Sequence, residues 1–267
     1  MKIHAFQTGT TRIKPQFQRG NADRPLLPTF MAVLRDSPSI DLPILAWVID
    51  HDEGLFVIDT GENPATTVTP VASMHVQPEE ALGAQLAARS IDTKTVRMLV
   101  LTHLHTDHIG GIGAFRDTPV FVSAHDHAVL NHPLRRRISA LANPIPGWLR
   151  PNPIPFTDGP FGAFPRHHKL TQRGDLVAVP TPGHTAGHLS VIAIDGDVQV
   201  MFAGDATYSQ AALLARRIQG ISFAKAEHPG TLATILKHAA AHPLIYLPSH
   251  DPDSPRRLSE RHPVRVR

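Results

Sequence analysis

Within six residues, His103-Leu104-His105-Thr106-Asp107-His108, the chain places three imidazoles and a carboxylate. Neutral imidazole and carboxylate are nitrogen and oxygen donors for divalent cations, and this density is hard to explain as packing. The apolar run 96–101 that precedes them reads as a buried strand. His103 and His105, two apart, face the same side of an extended backbone. Gly110-Gly111-Ile112 then suggests a helix beginning, where one oxygen of Asp107 would help cap the helix while the other reaches a metal.

More donors stand just after other hydrophobic runs. Pro182-Gly183-His184 follows 176–179, Gly204-Asp205 follows 198–202, and Ser249-His250 follows 244–247. Taken alone, His184 or His250 reads more readily as a structural histidine; beside the first cluster the ligand reading prevails. The set is five histidines and two aspartates. One zinc takes about four donors, so the set suits two cations sharing one carboxylate. There is no cysteine, which excludes disulfides and thiolate sites. The remaining donors fit zinc first, with manganese, iron or cobalt compatible.

The elements that must position these groups are short β-rich runs at 44–49, 55–58, 96–101, 120–123, 176–179, 190–194, 198–202 and 244–247. Amphipathic helical patterns lie at 78–90 and 231–241. Such mixing suggests sheets sandwiched by helices, not one all-parallel sheet. No repeat or low-complexity tract divides the chain, so residues 1–267 are expected to form a single domain. The stretches 15–43 and 131–169 are rich in proline and aromatics and lack periodicity. They read as loops covering an active site or, equally well, as packed surface excursions. In the second, Trp148, Phe156, Phe161 and Phe164 are candidates for lining a substrate pocket.

Composition narrows the function classes. No apolar run approaches the ~20 residues that span a bilayer, and the start lacks an apolar signal core. A cytoplasmic protein without a membrane partner is the expectation. The formal net charge is only +3. Arg135-Arg136-Arg137 and the tail 256–267 read as solvated faces in preference to a nucleic-acid site. The chain has 18 histidines, so position must decide which matter.

The pattern His103-x-His105-x-Asp107-His108, with His184, Asp205 and His250, resembles the metallo-β-lactamase-fold hydrolases. Asp59-Thr60-Gly61 after 55–58 looks like that family's early Asp-Thr-Gly turn. Within the superfamily the chain is most similar to the N-acyl-homoserine lactonases, the quorum-quenching enzymes, over roughly 43–251. The likeness includes Asp205-Ala206-Thr207-Tyr208 and Pro182-Gly183-His184-Thr185-Ala186-Gly187-His188. The resemblance implies an α/β (α+β) fold, a four-layer αββα sandwich with the site along one sheet edge. It implies that His103, His105 and His184 hold one metal, that Asp107, His108 and His250 hold the other, and that Asp205 bridges. Asp59 would orient ligands or their loop from behind. His188 would do the same or make an ordinary structural hydrogen bond. Thr106 stands where one well-known lactonase type has a bulky phenylalanine beside the acyl chain, so a differently shaped acyl pocket is expected.

The implied chemistry is lactone opening. Two cations lower the pKa of a water between them, and the resulting hydroxide attacks the carbonyl. The Tyr208 hydroxyl would help one metal stabilise the oxyanion, and Asp107 would carry a proton to the leaving alkoxide. The alternative for Tyr208 is an ordinary packing tyrosine with a satisfied hydroxyl; its offset from Asp205 favours the functional role. A glyoxalase II-like thioesterase shares all seven ligands, and other ester or phosphotriester hydrolysis suits the same centre. A nucleic-acid-binding metal protein is the alternative outside enzymes. The expected partner is a small lactone or ester, and a homodimer is compatible with the sequence.

Overall fold

The computed structural model describes residues 1–18, 26–37, 40–64, 66–68 and 72–266. An eight-stranded sheet contains β1 (Lys2–Ile13), β2 (Ile40–His51), β3 (Gly54–Ile58), β4 (Thr66–Val68), β5 (Ala72–His75), β6 (Val96–Val100), β7 (Val120–Ser123) and β8 (Asn152–Ile154), in the order β4-β5-β1-β2-β3-β6-β7-β8. A five-stranded sheet contains β9 (His168–Lys169), β10 (Leu176–Pro180), β11 (Leu189–Asp195), β12 (Val198–Gly204) and β13 (Leu244–Pro248), in the order β13-β12-β11-β10-β9. By contacts the chain divides into two compact units. One comprises Met1–Thr10, Pro43–Thr67 and Met74–Pro155, and the other Thr11–Leu42, Val68–Ser73 and Phe156–Arg267.

In the first unit β2 and β3 form an antiparallel hairpin, while β3, β6, β7 and β8 run parallel. Parallel neighbours need crossovers. The helix Leu82–Ala88, the 3-10 run Gly110–Phe115 and the helix Ala124–Asn131 lie in them. Leu82, Leu86, Ile112, Phe115 and Leu130 from those segments bury against Val57, Leu99, Val120 and Val122 of the strands. Because β3 and β6 are parallel, Asp59 and His103 both leave the sheet at its carboxyl edge. The turn after β3 is drawn tight there. Asp59 and Gly61 have positive φ (59° and 72°). The Thr60 N–H donates to the His108 carbonyl at 2.8 Å, and the Gly111 N–H to the Gly61 carbonyl at 3.0 Å. A Cβ on Gly111 would run into the Thr60 carbonyl oxygen, with the carbonyl carbon at 3.2 Å.

In the second unit β10, β11 and β12 are antiparallel in turn and β12 pairs parallel with β13. The carboxyl ends of β10, β12 and β13 therefore share one edge. The crossover helix His228–Ala241 starts with proline in its first turn and buries Leu232, Ile235, Leu236 and Ala239 against Val177, Val179, Met201 and Tyr246. On that helix His238 packs against Phe161 and Phe164, with ring centroids 5.6 and 5.2 Å away. Its Nε2–H donates to Gln199 Oε1 at 2.6 Å, and its Nδ1 accepts from the Ala163 N–H at 3.3 Å.

Several elements differ from the sequence expectation. The single helix expected at 78–90 is a 3-10 turn, Pro78–Glu80, then an extended Ala81 (ψ 135°), then the helix Leu82–Ala88. Gln77 and Glu80 form a capping box that starts this first turn, and the break comes at Ala81. The stretch 15–43, expected to be irregular, holds helices Pro15–Gln18 and Leu26–Arg35; its residues 19–25 and 38–39 lie outside those described. The stretch 131–169 holds a further helix, Pro133–Ala142. Strand β8 contains Pro153, tolerated because the strand lies at the edge of its sheet.

Two outcomes follow. Gly111→Ala should destabilise by roughly 1–3 kcal/mol in denaturant unfolding. Gly113→Ala, whose Cβ would meet nothing within 4 Å, should be neutral or better; equal effects would refute the close approach. Burial, then the neighbouring His242 charge, holds the His238 pKa down to about 4. The unfolded chain takes up that proton near its ordinary pKa of about 6.5 and the native one does not. This contribution to stability is therefore whole above about pH 6.5 and is lost as pH falls toward 4. His238→Gln should flatten that part of the pH–stability curve, and an unchanged slope would count against the assignment.

Candidate metal centre

In the first unit the chain leaves β6 through Leu101 and Thr102, then turns into a one-turn helix, Thr106–Ile109, with His105 at its cap position. His105 makes no side-chain cap bond; Asp107 lies inside the first turn and not at the cap expected of it. His103 Nε2 and His105 Nδ1 approach to 3.0 Å. The rings of His103 and His108 are 4.1 Å apart by centroid, and Asp107 Oδ1 lies 3.9 Å from His108 Nε2.

Asp59 holds this group from behind. Its Oδ1 accepts the Thr102 N–H at 2.8 Å, and its Oδ2 accepts the Thr102 hydroxyl and His108 Nδ1–H, each at 2.8 Å. That last bond fixes the His108 tautomer with its lone pair on Nε2, toward Asp107. Thr106 is buried, and its hydroxyl bonds the carboxyl of Glu62. Glu62 is itself buried; burial pushes its pKa up, opposed by the Asn63 N–H and the Thr106 hydroxyl.

In the second unit His184, Asp205 and His250 follow β10, β12 and β13. Asp205 Oδ2 lies 3.4 Å from His184 Nε2, and its Oδ1 lies 3.3 Å from His250 Nε2. His184 Nδ1–H donates to Gln219 Oε1 at 2.6 Å, and the Gln219 amide donates to the Asp205 carbonyl at 2.6 Å. His184 therefore also carries its lone pair on Nε2. His188 Nε2 accepts the Asp205 N–H at 2.9 Å, and its Nδ1 bonds Thr181. Through the Asp205 N–H it supports the Asp205 turn. Tyr208 is buried, stacked on Phe17 at 5.8 Å and edge-on to His184 and His250 at 6.1 and 5.3 Å.

These spacings fit cation donors. Two donors on one zinc at about 2.0–2.1 Å lie roughly 3.3 Å apart in a tetrahedral shell. His184 Nε2 lies 3.4 Å from a carboxylate oxygen of Asp205, and His108 Nε2 lies 3.9 Å from one of Asp107. A second proton on the imidazoles would ease such an approach, and so would a cation between the donors. Several imidazolium charges packed within a buried cluster repel one another and are costly to desolvate. A divalent cation removes both costs.

The aromatic pocket candidates are placed differently from one another. Phe164 is fully buried in the second unit's core, with Phe161 packed against it. Trp148 packs on the first unit's core beneath the Arg116 guanidinium, 5.3 Å from its ring. Phe156 is half-buried with positive φ (52°). Sequence reasoning missed Gln219 and Glu62. Gln219 stands in an aperiodic stretch with no signal of its own, whereas Glu62 directly follows Asp59-Thr60-Gly61 and its place beside that turn was a usable hint.

A model of the metallo-β-lactamase superfamily matches residues 40–250. A probable metallo-hydrolase of Mycobacterium tuberculosis is 35% identical over 182 residues, which are 62% of this chain and 57% of that protein. The chain thus spans little more than half the length of that relative. The N-acyl homoserine lactonase AttM of Agrobacterium fabrum is 22% identical over 272 residues, covering 95% of this chain and 94% of that one. Among solved structures, an AiiA mutant of Bacillus thuringiensis with N-decanoyl-L-homoserine bound at the active site superposes with a TM-score of 0.72 at 18% identity, covering 96% of this chain and 95% of that one. At that identity the likeness is one of fold. With a family match over most of its length and the mixed sheets and helices of that fold, the chain belongs to the metallo-β-lactamase superfamily.

Proposed function

We propose that the protein is a metal-dependent hydrolase that opens the ring of N-acyl-homoserine lactones, or of a similar lactone, at a centre of two divalent cations, with zinc the first choice. The observation that carries this reading is the Asp205 carboxylate, which offers one oxygen to His184 and the other to His250. A carboxylate so divided suits a bridge between two cations. His103, His105 and His184 would hold one, and Asp107, His108 and His250 the other, with Asp205 shared. When bound, the pair would supply Lewis acidity and a water of lowered pKa.

The chain's own residues do the rest. Asp59 and Gln219 hold His108 and His184 by their Nδ1 atoms, so that each presents Nε2. Asp107 would carry a proton to the leaving alkoxide oxygen. The Tyr208 hydroxyl would donate to the substrate carbonyl oxygen as charge develops there. Its edge-on place beside His184 and His250 supports that role. Thr106 and Phe156 are the pocket candidates in this reading. The packing of Trp148, Phe161 and Phe164 favours a supporting part for those three.

A glyoxalase II-like thioesterase would use the same donors, but a thiolate leaves more readily than an alkoxide and needs less help from Tyr208. Tyr208→Phe should lower lactone turnover by roughly tenfold to a thousandfold, mostly in kcat, with unchanged metal content. An unaltered lactone rate, or a parent enzyme far faster on acyl-glutathione thioesters than on any homoserine lactone, would overturn the lactonase reading. Metal titration of protein stripped with chelator should reach about two ions per chain, because the seven donors exceed one zinc shell. Asp205→Asn should weaken both ions together, and Gln219→Leu should lower affinity by about 10–100-fold. Full activity at one ion per chain, or a normal metal content in Asp205→Asn, would sink the two-cation centre.

A further inference from the structure

The helix Pro133–Ala142 is built inside out. Arg136 faces the body of the first unit. Its Nη2 donates to the Pro146 carbonyl at 2.7 Å, and its Nη1 to the carbonyls of Leu149 and Leu130 at 3.3 and 3.4 Å. Burial, then the nearby Arg150 charge, lowers its pKa. The opposite side carries Leu134, Ile138 and Leu141, which are 61%, 58% and 84% exposed. At ~100° per residue these three fall within one narrow stripe. Arg135 and Arg137, both exposed, flank it on either side. A helix of a soluble domain ordinarily buries its apolar stripe; here a charge fastens the helix and the apolar stripe faces solvent.

The charge around the stripe is one-sided. From His127 to Thr157 the chain has no aspartate or glutamate and four arginines. Apolar side chains projecting from a convex helix, flanked by guanidinium groups, match the boundary between anionic headgroups and acyl chains. We infer that this helix docks the protein onto the surface of an anionic phospholipid bilayer. Among the described residues no helix is long and apolar enough to cross a membrane, and surface docking requires none. The arginine run, read from sequence as a merely solvated face, becomes the electrostatic part of the contact. This inference stands apart from the lactonase reading.

Vesicle co-sedimentation of the full chain tests it. Vesicles of phosphatidylglycerol and phosphatidylcholine in equal parts should bind the protein, high salt should release it, and phosphatidylcholine alone should bind far less. Ile138→Glu and Leu141→Glu should each weaken partitioning by at least about tenfold. Arg135→Gln and Arg137→Gln should each cost about fivefold. All four positions are exposed, so melting temperatures should match the parent. No binding to the mixed vesicles, or equal binding by parent and Leu141→Glu, would overturn the inference. So would a dimer in light scattering that Leu141→Glu dissociates while vesicles bind neither protein, which would make the stripe a contact between two copies.

Discussion

The arrangement of donors depends on a repulsion that the fold is made to withstand. Buried imidazole nitrogens are held close to carboxylate oxygens, His108 Nε2 3.9 Å from Asp107 Oδ1 and His184 Nε2 3.4 Å from Asp205 Oδ2. What holds the groups in place is a hydrogen bond on the far side of each ring. Asp59 does this for His108 and the Gln219 amide for His184, and His188 secures the backbone at Asp205. The cost of facing like with like is thus spread over rigid turns at the carboxyl ends of strands, and a cation turns the same geometry from repulsive to attractive.

The strand ends explain why so much of this was legible in the sequence. A donor immediately after a buried apolar run must emerge at a sheet edge, and in the second sheet β10, β12 and β13 emerge at the same one. The three donors there and the cluster after β6 could be picked out by position alone. The Asp59-Thr60-Gly61 turn was picked out by its likeness to the family's Asp-Thr-Gly turn. Gln219 was not legible, since an amide acting through a tautomer leaves no periodic or compositional trace. Strand β1 was also missed. Its alternation is carried by threonine, glutamine and arginine as much as by apolar residues, and it hides without a hydrophobic run. The helix expected at 78–90 is interrupted at one residue, Ala81, whose extended backbone separates the 3-10 turn from the helix Leu82–Ala88.

The candidate metal donors and the candidate pocket residues stand in different parts of the chain. The donors occupy short segments whose backbone is pinned by neighbours. The Pro182–Gly183 turn, for instance, is held by the Phe223 and Ala224 N–H groups donating to His184 and Gly183 carbonyls. The regions that differ most from a periodic pattern, by contrast, spend their aromatic residues on packing. Phe164 and Phe161 brace the helix His228–Ala241 through His238.

The pairing of β12 with β13 has a consequence for the order of events in folding. Those strands are neighbours in the sheet, yet the two helices Gln210–Leu214 and His228–Ala241 separate them in sequence, and parallel pairing of this kind is slow because a long loop must close first. His184 and Asp205 are separated by one hairpin, whereas His250 joins them only when that slow step is complete. A nascent chain therefore offers an ion at most a partial and low-affinity grip in this unit. Discrimination among competing cations then falls to the finished fold, after collapse has fixed the distances by which one ion is told from another.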